Sequence, residues 1–418
     1  MKLARLIATG IVCCSIFLSG CVTTGVGGKG VGVGPGLSSA INKASRLGKT
    51  QNDLQDPNRP RLDVIIPVFD PGLPDDGKEY SEEGVWPELR RAEAVRFAYK
   101  MKEALEETGA FGAVRLTPDQ TASGDLYVLG KIEESNGEDA EIEMQVVDIT
   151  GERWLYQSVD HEVEPSFHKN VRNNGKDAYD PLFANAAREL VEELSFHDAE
   201  KLTEIKRISE LRFGASFVEE AFVEHISKDG DRFELASFPS DNDPMLIRTK
   251  AIRVRDQLYV DGLQDHYRSF SEGMDTSYLV WQEQSLTEIE ARSAARKKAA
   301  GEAAVGVALV GLAILAVVAG GNSDSVAGKT AAQTAGVVGG IAGISYLTSS
   351  FQTSKETAVH KEALEELGQS IDADLAPKIV AYEQKNVELT GSAKEQFAQW
   401  RAFLKKIYME EQTPEVQL

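Results

Sequence analysis

The amino-acid sequence predicts an α+β fold, in which a small mixed sheet domain with a packed helix precedes a mainly α-helical region that contains a glycine-rich apolar helical hairpin. Short apolar runs separated by turn signals occupy residues 61–165. Apolar residues then recur at helical spacing from about residue 178 onward. Two uncharged runs follow, at 303–321 and 331–350. Strands grouped ahead of helices are typical of the α+β class.

Composition limits the function classes that the chain can serve. Its 418 residues are 42% hydrophobic, enough to form the cores of two or three domains, and its formal net charge is −21. Such an acidic chain is poorly suited to nucleic acid or to electrostatic attachment to anionic lipid. The acidic composition is instead typical of a folded domain with a well-solvated surface.

The N-terminus has the layout of a secretory signal peptide. Lys2 and Arg5 precede an apolar segment, and small residues lead to Cys21, so we expect residues 1–20 to be removed. The segment Leu18–Cys21, Leu-Ser-Gly-Cys, resembles the lipobox of bacterial lipoproteins. This resemblance implies covalent diacylglyceryl and N-acyl lipid on Cys21, with no separate cofactor. Val22 follows where members retained in the inner membrane carry Asp, which implies sorting to the outer membrane.

Residues 21–60 are predicted to be a lipidated, glycine-rich tether. Glycine is too dense after Cys21 for a stable helix or ordinary strand, and such linkers give a folded body reach from its anchor. Cys13 and Cys14 lie within the signal peptide, so the mature chain has Cys21 as its single cysteine. A disulfide framework or a cysteine-based metal site is therefore not expected.

The region 61–165 is predicted to be an α+β periplasmic domain. It begins with a buried strand at Val64–Phe69, followed by a helix from about residue 87 that ends at Gly109. A second strand is predicted at 113–116, and three more between 125 and 164, with turns at "SNGED" and "ITGER".

Three segments carry a resemblance to known periplasmic domains: "LDVIIPVFD", "RRAEAVRFAYKMKEALEETGAFGAVRLTP" and "DLYVLGKIE". In this order they resemble the N-terminal domain of TolB-like proteins and the CsgG-like secretion lipoproteins. The resemblance implies scaffolding or export, often by rings. It covers about a quarter of the chain, and the helical C-terminal half departs from those families.

The remainder is predicted to be a helical region at 166–300, the apolar hairpin at 301–350 and a C-terminal helical region at 351–418. Helices are expected at about 244–272, 276–300, 353–388 and 392–411, with a break at 228–244. Ser392 and Glu395 predict a capping box for the last helix. Its stripe is predicted to be core rather than a binding face and comprises Phe397, Trp400, Phe403, Leu404 and Ile407.

No residue pattern identifies a catalytic or metal site. The six histidines lack a recognised ligand spacing, and no Gly-x-Ser-x-Gly motif is present. Gly328-Lys329-Thr330 ends like a phosphate loop, but Ser323 stands where such a loop needs glycine. The sequence therefore predicts a protein that is not an enzyme and that binds no metal.

The apolar hairpin is predicted to bring helices into close contact. The glycines that permit this approach, in lipid or in protein, are Gly306, Gly311, Gly336, Gly339, Gly340 and Gly343. Three interpretations remain open: the hairpin spans a membrane, it packs within the protein or between copies in a ring, or it inserts when triggered. Arg292, Arg296, Lys297 and Lys298 precede the first run, which is the wrong polarity for a span that starts in the periplasm.

The sequence thus predicts a non-enzymatic outer-membrane lipoprotein whose body faces the periplasm. We expect it to be a structural or accessory component of a cell-envelope assembly, export or surface-structure machine, and a homo-oligomer through its hairpin. Its expected partners are membrane lipid and envelope proteins, not nucleic acid. The alternative is a monomeric periplasmic lipoprotein that binds a lipid-like ligand.

Overall fold

A mixed five-stranded sheet forms the first half of the fold. The computed structural model describes residues 56–74, 85–319, 355–370, 378–382 and 385–410. The sheet strands are β1 (Val64–Pro67), β2 (Val114–Thr117), β3 (Leu126–Ser135), β4 (Asp139–Asp148) and β5 (Arg153–Glu162). They lie in the order β2-β1-β3-β4-β5, with β1 parallel to both neighbours and β3, β4 and β5 antiparallel.

Alternation along β4 shows why this sheet forms. Ala140, Ile142, Met144 and Val146 are buried, and the residues between them are only partly buried, so one face of the sheet belongs to the core. Helix α1 (Pro87–Thr108) connects the parallel strands β1 and β2 and packs on the sheet. Gly109 ends α1 with a φ of 62°, which confirms the predicted stop.

The helices after the sheet are α2 (Asp180–Leu194), α3 (Ala199–Ala215), α4 (Pro244–Asp261), α5 (Gln264–Ala319), α6 (Lys355–Ser370) and α7 (Ala393–Glu410). Helix α6 lies so close to α1 that a Cβ at Gly368 would overlap the carbonyl oxygen of Glu88. Together the mixed sheet and these helices confirm the α+β class.

The predicted break between helices at 228–244 is present, and it contains an antiparallel pair, β6 (Ile226–Asp229) and β7 (Arg232–Leu235). The predicted break between helices near residue 274 is absent, because α5 continues through it. The break lies instead at Gly262 and Leu263, between α4 and α5. Met274 is buried, so this part of α5 is fixed by packing.

The predicted helix at 353–388 is also wrong beyond Ser370. Strands β8 (Lys378–Tyr382) and β9 (Lys385–Leu389) form an antiparallel pair there. Leu389 is buried in the core, and the Lys378 ammonium lies 5.0 Å from the centre of the Tyr259 ring. These contacts with distant parts of the chain stabilise strands where the local spacing predicts a helix.

The last helix agrees with its prediction. The backbone amide of Ser392 donates to Glu395 Oε2 over 2.9 Å, and the Glu395 amide donates to Ser392 Oγ over 3.4 Å, which forms the capping box. Phe397, Trp400, Leu404 and Ile407 are buried and Phe403 is partly buried, so the stripe is core.

The hairpin prediction falls largely outside the described residues. Gly336, Gly339, Gly340 and Gly343 lie there, as does Cys21. Gly306 and Gly311 lie on the described backbone of α5. The domain boundaries stay predictions.

Candidate interaction surface

Helix α4 has one face in the core and one in solvent. Asp243 caps its N-terminus by accepting from the amides of Met245 and Leu246, both over 2.9 Å, and Pro244 occupies its first turn. Its inward face is buried and consists of Leu246, Thr249, Ile252, Arg253, Asp256, Tyr259 and Val260. This face fixes the orientation of the helix.

The outward face of α4 carries an apolar stripe, which we call the α4 seam: Ile247, Ala251, Val254 and Leu258. Ile247, Val254 and Leu258 are 53%, 55% and 63% exposed, and Ala251 is exposed as well. The spacing of four, three and four residues places all four side chains in one narrow sector of the helix. It is the spacing by which helices pair in coiled coils.

Basic side chains flank the α4 seam on both sides. Arg248 and Arg255 lie along one side and Lys250 along the other, because they are one position removed from the seam residues. The Arg248 guanidinium is 4.3 Å from the centre of the Tyr408 ring, and an Arg255 N–H donates to the carbonyl of Ala251 over 3.1 Å. The Lys250 ammonium is 3.5 Å from Glu210 and 3.8 Å from Asp241.

A cleft of about 750 Å³ adjoins this face. Lys250 belongs to both, and the full lining is Pro60, Thr203, Lys206, Arg207, Glu210, Phe238, Pro239, Ser240, Asp241 and Lys250. Three cations and two carboxylates make this lining strongly charged. Lipid-binding cavities have few charged side chains, so the cleft does not fit a lipid-like ligand.

Buried charges hold the elements around the cleft in place. Asp125 is 1% exposed and lies 3.2 Å from the Lys206 ammonium and 3.3 Å from the Arg253 guanidinium. Burial acts to raise the pKa of Asp125, but Lys206 and Arg253 outweigh it and hold the pKa below its usual range. Arg253 also donates to Ser209 on α3 over 2.7 Å. The inward face of α4 is thus tied to α3 and to the start of β3.

A second group of buried polar side chains joins α1 to α5. We call it the Arg96 cluster, and its members are Glu93, Arg96, Ser135, Asp177, Tyr278 and Gln282. Arg96 Nη2 and Nε donate to Asp177 Oδ2 over 2.8 and 3.2 Å, and Arg96 Nη1 donates to the carbonyl of Ser271 over 3.0 Å. Burial acts to raise the pKa of Asp177, but Arg96 and three donated hydrogen bonds hold it below its usual range.

Glu93 is the one member of the Arg96 cluster whose charge is poorly compensated. Its Oε1 accepts from the hydroxyls of Ser135 over 2.6 Å and Tyr278 over 2.8 Å, and Arg90 Nε lies 3.4 Å from Oε2. Burial nonetheless raises the pKa of Glu93 to about 7, against the opposing effects of Arg90 and the two hydroxyls. Such a pKa suits a general base, but Glu93 is fully buried and does not line the cleft.

In the part of the chain that the structure describes, histidines, cysteines, aspartates and glutamates nowhere form a group of three or more that could hold a metal ion. None of the helices in this part is both long enough and apolar enough to cross a membrane.

The α4 seam cannot be identified from the sequence alone. Its spacing is visible in the sequence, but Leu246, Ile252, Tyr259 and Val260 give the same helix a second apolar face. Only the packing of α4 against its neighbours distinguishes the buried face from the exposed one. Comparison of the chain with protein-family models, with curated proteins and with solved structures finds no match.

Proposed function

We propose that this protein is a non-enzymatic outer-membrane lipoprotein and a structural or accessory component of a cell-envelope assembly, export or surface-structure machine. The α4 seam carries the proposal. Exposed apolar side chains rimmed by polar residues are typical of protein contact surfaces. The resemblance of Leu18–Cys21 to a lipobox supports the location, with the body facing the periplasm.

The apolar runs at 303–321 and 331–350 have a separate role in this proposal, which is to join copies of the chain. Their glycine spacing supports close helix packing, and a lipid anchor at Cys21 makes a second anchor unnecessary. The five charged side chains that line the cleft give no support to a lipid-binding role.

Replacing Cys21 by serine is expected to abolish attachment to the outer membrane. Serine lacks the thiol that forms the thioether, so the chain should neither incorporate a labelled fatty acid nor sediment with outer membranes. Cys13→Ser and Cys14→Ser are matched controls and should keep both properties. Metabolic labelling followed by membrane fractionation measures this, and full labelling of Cys21→Ser would contradict the proposal.

Deleting residues 303–347 is expected to reduce the assembly to single chains. Mass measurement in mild detergent by light scattering should show a multimer for the full chain and a monomer for the deletion. Circular dichroism checks that the deleted chain keeps its helical and strand content. A monomeric full chain, or a deletion of unchanged stoichiometry, would refute the role given to these runs.

A further inference from the structure

The face of α5 that packs against the rest of the protein is largely polar. Its buried residues between 267 and 286 are Tyr267, Ser271, Met274, Ser277, Tyr278, Trp281, Gln282, Ser285 and Leu286. Of these, Met274 and Leu286 are aliphatic. The Trp281 indole N–H and the Ser285 hydroxyl have no hydrogen-bond partner among the described residues. An interface of this composition separates more readily than an apolar one, because less hydrophobic free energy is lost.

Glu93 of α1 lies in this interface and is enclosed on several sides. Its Oε1 accepts from the hydroxyls of Ser135 on β3 and Tyr278 on α5. Its Oε2 is buried and accepts no hydrogen bond within the described part of the chain, although Arg90 Nε lies 3.4 Å away. An ionised carboxylate is costly in such a place. Separation of α5 would expose it to water and remove that cost.

The other members of the interface keep their charge around neutral pH. Arg96 holds the pKa of Asp177 below its usual range, so this ion pair stays intact. Burial raises the pKa of Tyr179 and of Tyr278 above their usual range, so both phenols stay neutral. Within the Arg96 cluster, Glu93 is therefore the group that changes its charge.

We propose that Glu93 makes the docking of α5 depend on pH: protonated Glu93 keeps α5 against α1, and ionised Glu93 promotes its separation. Burial raises the pKa of Glu93 from 4.5 to about 7 while α5 is docked, whereas a solvated Glu93 ionises near its usual pKa. The equilibrium constant for separation therefore rises as the pH rises through this range. The largest increase that this shift allows is about 300-fold.

Helix α5 links this response to the first apolar run. It is one helix from Gln264 to Ala319, so its separation would move the start of the run at 303–321 as well. The pH response of α5 does not require that this run join copies of the chain.

Hydrogen exchange measured by mass spectrometry tests the proposal on the full-length lipidated protein in mild detergent. Dividing each rate by the intrinsic rate at the same pH gives an opening constant for each segment. We expect the opening constant of residues 264–290 to rise at least tenfold from about pH 5 to about pH 8. Strand β4 exchanges through unfolding of the whole protein, which also exposes Glu93. At pH 8, residues 264–290 should therefore open at least tenfold more readily than β4.

Three variants test the part played by Glu93. Glu93→Gln should make the opening constant of α5 nearly independent of pH, whereas Glu107→Gln, an exposed site on the same helix, should keep the increase. Ser135→Ala retains the Glu93 carboxylate but removes a donor on β3, so it should move the increase to higher pH. It remains informative if Glu93→Gln folds poorly.

Two histidines near α5 also titrate in this range and are common to all these proteins. His360 Nδ1 lies 3.1 Å from Ser277 Oγ, and burial lowers the pKa of His168, which is near Glu283. An equal increase with pH in wild type and Glu93→Gln would assign the response to such groups and overturn the proposal. Equal opening constants for α5 and β4 at every pH would also overturn it, because α5 would then open only with the whole protein.

Discussion

Replacing Arg96 by methionine is expected to destabilise the protein by about 3–5 kcal/mol, the cost of leaving a buried charge without its partner. Asp177 would keep its carboxylate in the core, where the Arg96 guanidinium now donates to Oδ2 over 2.8 and 3.2 Å. Methionine fills much of the same volume, so loss of charge and hydrogen bonds dominates. Urea unfolding followed by tryptophan fluorescence measures the change.

The loss should spread beyond one ion pair, because Arg96 connects separate parts of the chain. Its guanidinium also donates to the carbonyl of Ser271, lies 2.5 Å from Asp275, and sits 4.7 Å from the centre of the Tyr278 ring. These three residues belong to α5, whereas Arg96 belongs to α1. The variant should therefore loosen α5 from the sheet domain, and hydrogen exchange should rise in both helices.

Two controls separate these effects. Arg153→Met removes an exposed guanidinium from β5 and should change the free energy of unfolding by less than about 0.5 kcal/mol. Adding Asp177→Asn to Arg96→Met removes the uncompensated charge and should restore part of the lost stability. A change below about 1 kcal/mol for Arg96→Met would show that Asp177 finds another partner or water.

The sheet domain and the start of the last helix were predictable because their signals are local. Alternation along β4, the glycine that ends α1 and the capping box at Ser392 each depend on residues only a few positions apart. Such features do not depend on what packs against them, so the succession of strands and first helix along the chain followed directly from the sequence.

The strands β8 and β9 were not predictable in the same way. Residues 378–389 have no Asn-Gly or Asp-Gly turn and lie among residues with helical spacing. Their strand structure depends on pairing with each other and on contacts with α4 and the core, including Lys378 over Tyr259 and the burial of Leu389. Contacts between residues more than 100 positions apart leave no local pattern.

The buried charge pairs and the α4 seam could not be predicted from the sequence for a related reason. Nothing near Arg96 in the sequence indicates that Asp177 and Tyr278 are its neighbours. The seam and the buried face of α4 are both apolar, so periodicity alone assigns neither to solvent. The packing of the folded chain determines which buried charge has a partner and which helix face is exposed to solvent.

Glu93 is expected to make the stability of the protein fall as the pH rises from about 4.5 to about 7. Burial raises its pKa from 4.5 to about 7 in the folded state, so between these values the folded protein retains a proton that the unfolded chain has lost. Unfolding becomes more favourable throughout this range. At about 1.4 kcal/mol for each pKa unit, the full effect is about 3 kcal/mol.

Comparison with Glu93→Gln isolates this effect, because glutamine carries no charge and keeps an oxygen that can accept from Ser135 and Tyr278. Other titrating groups contribute equally to both proteins and cancel in the difference. The difference in free energy of unfolding should therefore move toward the variant by about 3 kcal/mol between pH 4.5 and pH 8. Urea unfolding at closely spaced pH values measures it, with Glu107→Gln on the same helix as the matched loss of one exposed carboxylate.

The hydroxyl of Tyr278 provides an independent check on the cause. It donates to Glu93 Oε1 over 2.8 Å and thereby favours the ionised carboxylate. Tyr278→Phe should raise the pKa of Glu93 further and shift the whole transition to higher pH, even if the variant is less stable overall. A transition that stays in place would mean that Tyr278 does not contact the carboxylate. A difference between wild type and Glu93→Gln that is flat with pH would mean that Arg90 compensates the buried charge.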